Sequence, residues 1–116
     1  MHHLDLKEAL EAHYGAVLAE PPTLCQDALL VSLNNGVLLE LRYPAASEYA
    51  IAWRWGDAQL RIDTAPLHRT LATFPNHLHD ASDVLREDRL THPSAEPWAN
   101  VRAVIDAVLV DPLLQA

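Results

Sequence analysis

The chain has 116 residues, a formal charge of −8, half of its residues apolar and 21% charged. That mixture can bury enough surface to offset chain entropy, so it predicts one folded domain and excludes general disorder. A lone cysteine, Cys25, and no basic segment leading into an apolar run after Met1 exclude a disulfide-built secreted scaffold and predict a cytoplasmic protein, and no apolar run approaches the roughly 20 residues of a membrane span.

Along Asp5 to Ala19, Leu6, Leu10, Tyr14, Val17 and Leu18 recur at spacings of three and four, which predicts an amphipathic helix with Asp5 as its N-cap. His2 and His3 precede it as a frayed terminus, His13 falls on its surface, and Pro21-Pro22 stop it. Leu29 to Leu33 and Val37 to Tyr43 flank Asn34-Asn35-Gly36, a hairpin signature. Tyr49 to Trp55 and Gln59 to Thr64 follow, joined through Gly56-Asp57. The prediction is an α+β fold with a four-stranded antiparallel meander sheet.

Period-two alternation assigns the faces of that sheet. Val37, Leu39, Leu41 and Tyr43, then Tyr49, Ile51, Trp53 and Trp55, then Leu60 and Ile62, form the core side. Glu40, Arg42, Arg54, Arg61 and Asp63 fall on the other, among Leu38, Ala50 and Ala52. The segment from Ala65 to Arg89 has no clear period and reads as a long ordered loop with a short strand around Val84 to Arg86. A second helix runs from an N-cap at Ser94, with Pro97 in its first turn, to Asp111-Pro112, and buries Trp98, Val101, Ile105, Val108 and Leu109. With both helices on one sheet face, the charged face is left for a second copy, giving a homodimer, or for another protein.

The chemistry-bearing residues concentrate in the loop: His68, His77 and His79, with Asp63 before them and Asp80 and Asp83 after. If the stretch around residue 78 is extended, His77 and His79 point the same way. For metal-free phosphodiester cleavage one imidazole takes a proton from an attacking ribose hydroxyl and another protonates the leaving oxygen. Arg61, Arg54 and Arg42 are then the phosphate-binding candidates, and Asp63 orients an imidazole. A metal reading takes His77, His79 and either His68 or Asp63 as ligands, with water in the open position. The plain alternative makes the arginines structural partners of Glu40 and Asp63, and His68 a surface residue.

Trp53-Arg54-Trp55, Leu60-Arg61-Ile62-Asp63-Thr64-Ala65-Pro66-Leu67-His68 and Thr73-Phe74-Pro75-Asn76-His77-Leu78-His79-Asp80 resemble the TumE-like toxins of bacterial toxin–antitoxin systems. In that family the fourth strand ends in Arg-x-Asp-Asn-Ala-Pro-His-His, and Phe-Pro-His-His-Lys-His follows. Arg61, Asp63, Ala65, Pro66, His68, Phe74, Pro75, His77 and His79 match. Thr64, Leu67, Asn76 and Leu78 depart, and the last removes a phosphate-binding lysine. The resemblance implies a growth-inhibiting protein acting on RNA, neutralised by a DNA-binding antitoxin. The joint expectation is a ribonuclease-like toxin with His77, His79, His68 and Asp63 as catalytic residues, without metal or cofactor; a non-catalytic protein-binding module is the alternative. The acid excess opposes long-range attraction to RNA, so binding must come from a local arginine cluster.

Overall fold

Alternating apolar and polar residues build the centre of the sheet. In the computed structural model, which describes residues 2–115, the strands are β1 (Thr23–Cys25), β2 (Ala28–Ser32), β3 (Leu38–Ala45), β4 (Glu48–Trp55), β5 (Ala58–Asp63), β6 (His77–His79) and β7 (Leu85–Glu87). They form one seven-stranded antiparallel sheet in sequence order, a correction to the expected four. The three strands outside those four have three residues each; β7 is the short strand expected around Val84 to Arg86, whereas β1 and β6 are too short for alternation to stand out from chance. Two of the three, β6 and β7, lie within the expected loop, so that segment adds two short strands to the sheet.

Registers Leu41↔Ile51, Ile51↔Ile62 and Ile62↔Leu78 run one apolar row across four strands, and Leu39↔Trp53 with Trp53↔Leu60 makes a second. Against this face pack Leu6 and Leu10 of α1 (His2–Tyr14) and Val101, Val104, Ile105 and Val108 of α2 (Pro97–Val110), in one hydrophobic cluster. Burial of these side chains is the main stabilising contribution, roughly 1.5–3 kcal/mol each. Pro44 is tolerated within β3 because the register shifts between Arg42 and Ala45, so no ladder donor is required there. Gly36 turns the β2–β3 hairpin at φ +94°, the left-handed region that favours glycine.

Several local expectations are corrected. α1 begins at His2, so Asp5 sits in its first turn and is not its cap. His3 is no frayed residue, since its Nε2 accepts the Tyr43 backbone N–H at 3.0 Å. The helix gives way at Tyr14 to a 3₁₀ turn, Gly15–Val17, where Gly15 weakens an α-helix. Ser94 is not the cap of α2; that position is Glu96, and Ser94 hydrogen-bonds His92. Trp55 stays 41% exposed at its strand end, against Gly36, and its indole N–H donates to the Asn35 carbonyl at 2.9 Å.

Two phenols join elements across the core. Tyr14 Oη donates to Asp106 Oδ1 at 2.5 Å, tying α1 to α2, and Tyr49 Oη meets Thr91 Oγ1 at 2.7 Å. Burial pushes both phenols up to about 12, with Asp106 adding to the shift at Tyr14 and Asp88 at Tyr49. A folded-state pKa raised above an unfolded value of about 10 gives stability that is complete below pH ~10 and is lost as pH rises through ~12. Denaturant midpoints should therefore fall across that window, and Tyr14→Phe should flatten the fall. An unchanged slope in Tyr14→Phe would show that Tyr14 does not contribute.

Candidate functional site

The pairing of β5 with β6 places the candidate residues. Arg61 faces His79 and Asp63 faces His77 across the ladder, while Ile62 and Leu78 between them point to the helices. Strand parity thus puts Arg61, Asp63, His77 and His79 together on the face that carries no helix. The segment between β5 and β6 folds back over them and delivers His68. Ring centroids are 4.7 Å apart for His68 and His77, 5.1 Å for His77 and His79, and 6.3 Å for His68 and His79.

The two β6 imidazoles share a direction and differ in access. His77 is 1% exposed. Its Nδ1 lies 3.1 Å from the Pro75 carbonyl, which can only accept, so that nitrogen carries a proton. Its Nε2 lies 2.9 Å from Asp63 Oδ1. Asp63 also accepts from Arg61 Nε at 2.8 Å and from the Ala65 N–H at 3.0 Å, so its carboxylate is held on several sides. The His79 side chain is 25% exposed. Arg61 Nη2 donates to its Nε2 at 3.2 Å, and its Nδ1 lies 3.9 Å from Asp83 Oδ1. Burial, then the Arg61 guanidinium and the His77 ring, hold the His79 imidazole below its ordinary range, so it is neutral at pH 7.

A groove of about 720 Å³ runs across the open face from this cluster, lined by Leu30, Leu38, Glu40, Arg54, Arg61 and His79 among others. A second hollow of about 600 Å³ holds Arg42, Glu48 and Asp63, and Arg61 borders both. His77 and His68 line neither; the groove reaches the cluster through His79 and Arg61. Arg42 is engaged by Asp27 and Glu40, away from the imidazoles. Its pairing with Glu40, like that of Arg61 with Asp63, runs along one strand and not between strands. Arg54 forms no ion pair among the described residues and is the free cation of the groove.

A buried polar hub beneath the loop has no counterpart in the expected site. Asn76 Nδ2 donates to Asp88 Oδ2 and to the Thr91 carbonyl, both at 2.9 Å, and Thr73 Oγ1 donates to the Asn76 carbonyl at 2.8 Å. These bonds fix the entry to β6 and so the aim of His77. The signal available in the sequence was a polar residue directly before His77; its partners lie too far along the chain to be found by spacing.

A family model described as Toxin TumE matches residues 6–112. The chain belongs to the TumE toxin family. The match covers every strand, most of α1 and all of α2, so the imidazole cluster lies within the part of the fold that defines a TumE toxin, and a toxin role in a toxin–antitoxin system follows. No curated protein and no solved structure matches the chain. No helix among the described residues of this TumE-family protein is long and apolar enough to cross a membrane.

Proposed function

We propose that this toxin arrests growth in the cytoplasm by cutting RNA at the β5–β6 imidazole cluster and is neutralised by a DNA-binding antitoxin. The observation that carries the reading is the convergence of three imidazoles, two of them facing the Asp63 carboxylate, beside Arg61 at the edge of an open groove. As Arg61 turns from His79 Nε2 to the substrate phosphate, His79, neutral and reachable, accepts there the proton of an attacking 2′-hydroxyl, and His68 protonates the departing 5′-oxygen. Arg61 offsets the charge that develops on the phosphate, and Arg54 binds a neighbouring phosphate in the groove. His77 touches no substrate; with Asp63 it is a positioning residue for the cluster. The groove carries Glu20, Glu40 and Asp83 beside Arg54 and Arg61, so phosphate binding rests on direct contacts to these two guanidinium groups.

The test is expression of the toxin with growth and RNA followed together, and incubation of purified toxin with RNA. Expected are growth arrest and fragments with cyclic-phosphate ends, with Arg61→Ala slowing cleavage by about 10²-fold, the scale of one lost charge-stabilising donor. Arrest with intact RNA would leave a toxin and remove the ribonuclease reading in favour of a non-catalytic binding module.

The open face also suits the antitoxin. Leu30 and Leu38, both partly exposed, flank the groove with Arg54, an apolar strip with one unpaired cation. Arg54→Glu is expected to weaken antitoxin capture about tenfold, roughly 1.4 kcal/mol, in a pull-down titration. Equal capture would move the interface elsewhere.

A further inference from the structure

The imidazole cluster has the makings of a metal centre, an inference that rests on the ribonuclease reading only for its effect on cleavage. One ring nitrogen from each of His68, His77 and His79 lies within 4.8 Å of the other two. Imidazole-bound zinc has bonds of roughly 2.0–2.1 Å, which sets neighbouring ligand atoms about 3.3 Å apart at tetrahedral angles. The cluster therefore closes on an ion by contracting at most ~1.5 Å. His68 sits on a loop, whereas the ladder holds the backbone of His77 and His79.

A second observation concerns His77 alone. Its ring is buried between two acceptors, the Pro75 carbonyl at Nδ1 and the Asp63 carboxylate at Nε2. A neutral imidazole has one proton and cannot satisfy both. An imidazolium satisfies both, and so does a metal ion that replaces its Nε2 proton and draws Nε2 and Asp63 Oδ1 from 2.9 Å to the roughly 3.3 Å of neighbouring ligand atoms. The bond from Nδ1 to a carbonyl is also the usual outer partner that turns the other nitrogen of a ligating histidine toward its ion. Asp63 Oδ2 lies 3.9 Å from His79 Nε2, so the carboxylate spans both rings and brings the counter-charge.

We propose that His68, His77 and His79, with an oxygen of Asp63, bind one divalent transition-metal ion. Three imidazoles and a carboxylate favour zinc or copper over magnesium or calcium, which prefer all-oxygen sets. An ion here takes the lone pair that His79 would use to accept a proton, so occupancy silences metal-free cleavage.

The test uses the full chain without an affinity tag, titrated with Zn²⁺ against a chromophoric chelator, with RNA cleavage measured on the same samples. Expected is one ion per chain, an affinity lowered at least about a hundredfold in His68→Ala and His79→Ala, and no change in His2→Ala, which controls for terminal histidines. Wild-type binding in His68→Ala and His79→Ala, or no binding at all, overturns the metal site, and cleavage by the metal-free protein would then still stand. Cleavage that falls as zinc binds and returns with chelator supports both proposals. Cleavage that requires zinc supports the metal site and removes the metal-free acid–base reading.

Discussion

Replacing His79 with alanine is expected to slow RNA cleavage by about two to four orders of magnitude, the usual contribution of a general acid or base, while leaving the thermal midpoint nearly unchanged. His79 is the imidazole that reaches the groove, and it stands on the sheet face that carries no helix. Its removal deletes one contact from Arg61 and opens no hole in the core. His77→Ala makes the contrast. It empties a buried site and strips bonding partners from the Pro75 carbonyl and Asp63, for a loss of about 2–4 kcal/mol of stability as well as activity. Cleavage assayed beside thermal denaturation separates the two: only His77→Ala should move the midpoint. Full cleavage by His79→Ala would exclude it as the proton acceptor.

Asp88→Ala is expected to lower stability by about 2–4 kcal/mol, the scale of leaving several buried donors without their acceptor. Asp88 is 2% exposed. Its Oδ1 accepts the backbone N–H groups of Leu90 at 2.9 Å and Thr91 at 3.3 Å, and its Oδ2 accepts Asn76 Nδ2 at 2.9 Å and the Thr91 hydroxyl. Thr91 in turn accepts the Tyr49 hydroxyl. Alanine leaves these donors facing apolar space, and each orphan costs roughly 1–3 kcal/mol before relaxation. Because Asn76 opens β6, cleavage should decline alongside stability. Urea unfolding measures the first effect, and a midpoint shift worth less than about 1 kcal/mol would show that water fills the hub at little cost.

The central sheet was legible because its strands are long and half-buried. Leu39, Leu41, Ile51, Trp53, Leu60 and Ile62 alternate with polar or small residues, and all six lie in the core. Trp55 follows the same parity yet stays exposed, since parity gives a face and not how far the covering helices extend. β6 illustrates the opposite limit. His77-Leu78-His79 carries the alternation of a strand, but three residues with no apolar neighbours beyond them read equally as loop. Its partner β5 lies across the whole intervening segment, and no local pattern records that pairing. Segment and residue types of the candidate cluster were nonetheless readable, because histidines two apart share a side wherever the backbone is extended. What chain order could not supply was depth: His77 is sealed under the returning loop while His79 reaches the groove.

The one-sided placement of the helices separates two kinds of constraint. Residues holding the fold together point toward α1 and α2, and the side chains assigned to reactivity and recognition project from the reverse surface. Drift at the solvent-reachable positions of that surface, such as His79 and Arg54 but not the buried His77, can disarm the protein without unfolding it. A disarmed copy would keep its shape and, where its antitoxin seat survives, would soak up antitoxin and leave active copies unguarded.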